Sequence, residues 1–299
     1  MPIKRMLIMK CSLCPRRCDA VRTETQNIGG FCRQPSAPRL ARAALHFWEE
    51  PCISGTNGSG TVFFSGCTLG CVYCQNYEIS HGDFGKTVTD ERLAEIFKEL
   101  EDMGAHNINL VSPTQYTNAI KSAFELYRPK IPVVWNSSGF ETEETIKSLD
   151  GYVDVFLLDF KYLSSERSAK YSLAPDYPDV AKKALLTAYQ MRPECVFDGN
   201  LMTRGVIVRH LLLPLATREA MEIFDFVRQN TPNAFFSLMS QYTPCGKAWE
   251  YKELSRAVTS REYEKVLHYI IESGFENCFF QERSSSSKEY IPPFDLTGV

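Results

Sequence analysis

Cysteine carries the chemistry visible in this chain: there are eleven in 299 residues. Three lie in the loop Cys67-Thr-Leu-Gly-Cys71-Val-Tyr-Cys74, a C-x3-C-x2-C spacing. Three thiolates so spaced can hold three irons of a 4Fe–4S cluster. No fourth cysteine lies within the loop, so the fourth iron would stay open to an external ligand. A structural zinc site asks for four protein ligands, which makes a set of three informative. The plainer readings are a zinc loop completed by a distant residue, or three buried thiols.

Cys11, Cys14, Cys18 and Cys32 form a second group, C-x2-C-x3-C-x13-C. Four such thiols suit a closed tetrahedral zinc site and equally a second iron–sulfur centre; packed free thiols are the alternative. Arg16, Arg17, Arg22, Arg33, Arg39 and Arg42 stand near this group. They would offset thiolate charge or touch a partner protein, although basic runs are usually solvated faces. Clustered cysteines point to metal or catalysis in a reducing compartment, not to disulfides. The opening MPIKRMLIMKCS has too short an apolar stretch for a signal peptide, so the chain reads as cytoplasmic. No apolar run is long enough for a membrane span. A net charge of −3 makes no electrostatic case for nucleic acid or anionic membranes.

The elements that must position these thiols follow from periodicity. With 44% hydrophobic residues, the chain can build a sizeable core. From residue 61, short β-branched runs alternate with amphipathic segments. Thr61–Ser65 precedes a helix over Thr89–Gly104, whose stripe is Leu93, Ile96, Phe97, Leu100 and Met103. Asn107–Ser112 precedes Asn118–Arg128, Pro132–Asn136 precedes Glu141–Leu149, and Val153–Leu158 precedes Asp179–Met191. Gly205–Leu213 precedes Arg218–Asn230, and Ala234–Met239 precedes Thr259–Ser273, which opens on a Thr259-x-x-Glu262 capping box. Six strand–helix units in series predict a parallel sheet with helical crossovers, fewer than the eight of a complete barrel. The expected fold is α/β, a partial (β/α)6 TIM-like barrel, with ligands at the carboxyl ends of the strands. A small Cys-rich N-terminal subdomain is expected over residues 1–58, held by a metal because its apolar content is low. The barrel core would span 59–283 and a tail 284–299, with the run Ser284–Ser287 as a solvated loop.

A C-x3-C-x2-C loop at the end of the first strand of such a barrel resembles the radical S-adenosylmethionine (SAM) enzymes. Longer segments, among them AALHFWEEPCISGTNGSGTVFFSGC, CVYCQNYEIS, HNINLVSPTQY, LLDFKY, VRHLLLP, LMSQYTP and PPFDLTGV, with the N-terminal CSLCPRRC, resemble pyruvate formate-lyase activating-enzyme-related proteins of the PflX type. The resemblance implies a 4Fe–4S cluster on Cys67, Cys71 and Cys74, with SAM chelating the open iron. Its reductive cleavage would give a 5′-deoxyadenosyl radical that abstracts hydrogen from a substrate. Implied partners are an electron donor such as flavodoxin or ferredoxin and a protein substrate; glycyl radical installation is the closest analogy. The alternative is an iron–sulfur interaction or electron-transfer protein without SAM cleavage.

The same resemblance carries site residues over. Tyr73 matches the aromatic position that packs near the adenine. Activating enzymes usually place a Gly-Gly-Glu run after the second strand to receive the SAM amino group. This chain has Val111-Ser112-Pro113-Thr114-Gln115 there, without a carboxylate and with a proline that cannot donate. Ser112 and Thr114 would offer oxygens instead. Asn136 and Ser138, in a stretch similar to Asp-Thr-Asn-Gly-Phe, would bond the ribose or the methionine carboxylate. Asp159-Phe160-Lys161 resembles the Asp-Leu-Lys pattern whose Lys meets the SAM carboxylate; two-residue spacing puts both charges on one face of a strand, so a structural ion pair is the plain reading. Arg209 sits in an apolar strand and needs a partner, a carboxylate or the cofactor. His210 faces the other way, as a core histidine. Gln241 and Tyr242 would line the adenine or substrate side.

Overall fold

The structure is a computed structural model that describes residues 10–280 and 292–299. Six parallel strands stand side by side in chain order: β1 (Ser59–Phe64), β2 (Ile108–Val111), β3 (Val133–Ser137), β4 (Val155–Asp159), β5 (Leu201–Leu211) and β6 (Phe235–Met239). Helices α1 (Asp90–Asp102), α2 (Thr117–Leu126), α3 (Glu143–Lys147), α4 (Tyr177–Met191), α5 (Thr217–Asn230) and α6 (Ser260–Glu272) follow the strands in turn. This is the expected partial (β/α)6 barrel. β1 to β4 are buried almost throughout, as strands covered on both faces must be.

Local chemistry sets the helix ends. Thr89 caps α1 by accepting from the amide of Arg92, and Asp90 and Glu91 sit in its positive first turn. Leu93, Ile96, Phe97 and Leu100 pack inward as the stripe predicted, but Met103 falls at the C-cap and is 58% exposed. Thr259 and Glu262 form the reciprocal capping box of α6. The parallel part of β5 starts at Gly205, opposite Val155, as expected. Its extension back to Leu201 belongs to a hairpin with Val196–Asp198.

Three elements outside the periodic pattern complete the sheet and its surroundings. The strand Arg39–His46 pairs antiparallel with β1, so this part of the 1–58 segment is hydrogen-bonded into the barrel sheet. The short helix Pro51–Ser54 plugs the barrel floor: Cys52 and Ile53 pack on Val134, Val155, Leu157, Met202 and Ile207. Cys278–Phe280 adds a parallel strand beyond β6. The tail then returns to the opposite edge. Thr297 accepts from the amide of Ala43 at 2.8 Å and the amide of Leu296 donates to Ala41 at 3.0 Å, covering backbone groups that an edge strand would otherwise expose. The Ser284–Ser287 run and the expected tail boundary at 284 lie outside the described residues. No described helix is long and apolar enough to cross a membrane.

Candidate functional site

β1 ends on Phe64, and the chain turns sharply into the cysteine loop. Gly66 has a φ of 81°, and a Cβ there would stand 2.2 Å from Cγ of Gln34 and 3.0 Å from the carbonyl oxygen of Cys32. Only glycine fits this turn. The loop then presents Cys67, Cys71 and Cys74 to one cavity at the carboxyl ends of the strands. The amides of Leu69 and Gly70 point at the Cys67 sulfur, each 3.4 Å away. The Ser172 hydroxyl donates to the Cys71 sulfur at 3.1 Å. Desolvation, and then repulsion from the neighbouring sulfurs, pushes the Cys67 thiol up and the Cys74 thiol up to about 12. Burial thus favours the thiol form of Cys67 and Cys74, and thiolates there would need added positive charge.

The far wall of the cavity is charged. Arg209 on β5 spends its guanidinium on three partners. Nε donates to Asp159 Oδ1 at 2.9 Å, Nη1 to Glu49 Oε2 at 2.9 Å, and Nη2 to Asn136 Oδ1. Lys161 Nζ lies 2.7 Å from the other oxygen of Asp159. Burial works against the Asp159 carboxylate, but Lys161 and Arg209 outweigh it and hold its pKa below the ordinary value. Glu49 Oε1 also accepts from Asn109 and Asn136, at 3.1 and 3.2 Å. Beside it, Glu50 is buried, and among the described residues no donor hydrogen-bonds to its Oε2. Burial raises its pKa, so it is held toward the neutral acid. Glu49 and Glu50 precede the floor helix and were not singled out in the sequence. The signal is indirect: Arg209 in an apolar strand needs a partner, a carboxylate or the cofactor.

The residues singled out by sequence fall in two places. Tyr73, Ser112, Asn136, Ser138, Asp159, Lys161, Arg209, Gln241 and Tyr242 line the cavity with the three cysteines. Tyr73 sits edge-on to Tyr162, Tyr171 and Tyr242. Ser112 takes a left-handed φ of 57°, which costs a residue with a Cβ about 1–2 kcal/mol; strain of this kind gathers at functional sites. Thr114 is not among the lining residues. Its hydroxyl donates to buried Glu141 at 2.6 Å. Desolvation first, opposed by that hydrogen bond, leaves the Glu141 carboxyl at about 7. Gln115 ties strand ends together by donating to the carbonyls of Ser65, Gly66 and Ser112. His210 faces away, with Nδ1 2.7 Å from the carbonyl oxygen of Phe160. Burial lowers its pKa to about 4, as suits a neutral core imidazole.

The N-terminal cysteines gather around Cys14, which lies within electrostatic reach of Cys32, Cys11 and Cys18; burial pushes its thiol up to about 12. Arg22 donates to the Cys11 sulfur at 3.6 Å and Asn27 to that of Cys32 at 3.7 Å. Among the described residues, no group of three or more His, Cys, Asp or Glu side chains is placed to hold a single metal ion. A cube takes its thiolates at separate corners, so its ligands stand wider apart than those of one ion.

A sequence profile of the Radical SAM superfamily matches residues 61–213, from β1 to the end of β5. The chain belongs to the radical SAM superfamily. Membership implies a 4Fe–4S cluster and SAM. An uncharacterized protein of Methanocaldococcus jannaschii, MJ0674, is 34% identical over 275 residues, covering 89% of this chain and 75% of that protein. Streptococcus suis SuiB bound to S-adenosylmethionine shares the fold at 16% identity and a TM-score of 0.52, over 73% of this chain. SuiB bound to the precursor peptide SuiA aligns at 15% identity and a TM-score of 0.49, also over 73% of this chain. This radical SAM chain spans about half the length of the SuiB chains, 48% and 47%.

Proposed function

We propose that this radical SAM protein is an enzyme of the PflX-type, pyruvate formate-lyase activating-enzyme-related group, acting on a protein substrate. In this reading Cys67, Cys71 and Cys74 hold the 4Fe–4S cluster. The donor set fits it: three thiols on one loop, amides aimed at sulfur, and burial that calls for cationic iron to stabilise thiolates. Bound there and reduced by a flavodoxin- or ferredoxin-type donor, the cluster and SAM supply a 5′-deoxyadenosyl radical for hydrogen abstraction. The chain's own part is to bind and orient. Lys161, steered by Asp159, meets the SAM carboxylate. Asn136 and Ser138 take the ribose or carboxylate, and Tyr73 packs near the adenine. Ser112 offers an oxygen to the amino group in place of the missing Gly-Gly-Glu run. Arg209 fixes Asp159 and Asn136 through its fork. Of the two readings of the N-terminal cysteines, a structural zinc or a second cluster, their spacing favours the cluster, because they are not placed around a single ion.

The observation that carries this reading is the shared cavity: the loop thiols face Asp159, Lys161 and Arg209 across it. The test is 5′-deoxyadenosine formation by anaerobically reconstituted, reduced protein. The wild type should produce it and Cys71→Ala should not, having lost iron at the loop. Full iron loading with no product would instead favour an electron-transfer or interaction protein. A doublet radical signal on a co-encoded candidate protein would mark glycyl radical installation.

A further inference from the structure

The sequence groups Arg16 with its neighbours as one of six arginines near the N-terminal thiols. In the structure it does something none of the others does among the described contacts. Its guanidinium lies against the outer side of the Cys67–Cys74 loop. Nε donates to the carbonyl of Thr68 at 3.0 Å and Nη2 to that of Leu69 at 2.9 Å. Nη2 also reaches the carbonyl of Ser172 at 2.7 Å, and Nη1 that of Leu173.

Ser172 and Leu173 are the end of the helix Ser165–Ser172, whose C-cap Leu173 is left-handed. The last carbonyls of a helix lack internal partners and carry negative partial charge, so a cation there answers two needs together. The same helix end touches the cysteine loop directly, through Ser172 Oγ on the Cys71 sulfur and Tyr171 accepting from the Val72 amide at 2.9 Å. Arg16 stacks 3.8 Å over the ring of Phe31. That ring would lie 3.1 Å from a Cβ on Gly70, in the middle of the loop. Cys14, Asp176, Cys67 and Cys71 are the anionic or ionisable groups in its electrostatic reach. No described carboxylate closes an ion pair on it.

We propose that Arg16 is a positioning residue for the catalytic cluster: one guanidinium fork clamps the cysteine loop to the helix end behind it and fixes a positive charge beside the loop sulfurs. The clamp joins the N-terminal Cys segment, from which Arg16 projects, to the loop read above as the cluster site, and so rests on that reading. A planar fork with five fixed donors suits four carbonyls on two segments; a lysine ammonium, a point charge with three donors on a flexible stem, supplies the charge with a weaker clamp.

Arg16→Ala and Arg16→Lys, reconstituted as full chains, separate these two roles. Two quantities are read: the rate of iron release to a chelator, and the midpoint potential of the loop cluster by electron paramagnetic resonance. A reduced cluster carries one more negative charge, so removing the cation should shift the potential of Arg16→Ala to more negative values. Its iron release should be roughly tenfold faster, as loss of charge-assisted hydrogen bonds predicts. Arg16→Lys should keep a near wild-type potential and still release iron faster. Wild-type potential and release in both variants would overturn the proposal. A purely structural role would speed release without moving the potential, and would overturn the electrostatic half. Should Arg16→Ala fail to fold, Arg16→Gln, uncharged but still a donor, makes the same comparison. Cys71→Ala serves as the separate control: loop iron retained in that variant would refute the cluster reading, whatever Arg16 does.

Discussion

At the scale of single residues, the site is a set of charges that are already spoken for. Asp159 is shared between Lys161 and Arg209, and Arg209 also pairs with Glu49. Lys161 gives one hydrogen bond to Asp159, and an ammonium has three donors, so it can meet an incoming carboxylate without leaving Asp159. Lys161→Ala should remove a charge-assisted hydrogen bond of about 1.5–3 kcal/mol. SAM affinity measured on the reconstituted protein should fall roughly 10- to 150-fold, with iron content unchanged. An unaltered dissociation constant would leave Lys161 as a structural partner of Asp159. Glu141 makes a second prediction. Its folded pKa, about 7, is above the unfolded value of about 4.3, so the folded state holds the extra proton between them. Stability should therefore fall as pH rises from about 4.3 to 7 and stay low above, by up to about 4 kcal/mol. Glu141→Gln mimics the protonated acid and keeps an acceptor for Thr114. In urea unfolding at pH 5 and pH 8, it should lose most of that pH dependence. A variant with the wild-type slope would exonerate Glu141.

At the scale of elements, local codes were legible wherever the structure was itself local. The capping box of α6 is written in four consecutive residues, and the helix begins where those residues put it. Thr259→Ala removes a cap worth about 1 kcal/mol; the urea midpoint should drop accordingly, with no change in iron retained. No change in midpoint would mean that tertiary packing, not the cap, fixes this helix start. The six units were readable because buried strands and striped helices each carry their own period. The helix Ser165–Ser172 was missed: it is short and polar, and its value lies in the Tyr171 and Ser172 contacts behind the cysteine loop. Arg39–His46 was missed for a different reason. Its alternation is weak, and its strand form comes from β1 on one side and the tail backbone on the other.

At the scale of the whole molecule, the described N-terminal segment and the residues 292–299 both brace the barrel. The tail covers one sheet edge, and the N-terminal thiol segment backs the cysteine loop through Arg16, Phe31 and Gln34. If Cys11, Cys14, Cys18 and Cys32 hold a metal, changing all four to Ser should remove zinc or iron beyond that of the loop while the loop cluster's absorbance remains. Equal metal content in both proteins would mean free thiols. Loss of all iron would mean that the segment is needed to keep the loop folded.

By itself the sequence determined the strand–helix order, the parallel sheet and the cysteine loop on the first strand. Each of these is encoded within about twenty residues, through periodicity, capping and fixed spacing, which act on the chain before any distant contact forms. It also determined that Arg209 required a partner, a carboxylate or the cofactor, because an unpaired charge in an apolar strand is too costly. Which partner was a tertiary matter. Asp159 lies across the register from Arg209, but Glu49 comes from 160 positions earlier. The carbonyls that Arg16 clamps lie 52 to 157 positions away. No local pattern marks such partners, since a carbonyl or a glutamate looks alike wherever it stands. They become partners only when the closing barrel brings their backbones to one cavity and leaves each charge a single place to be satisfied.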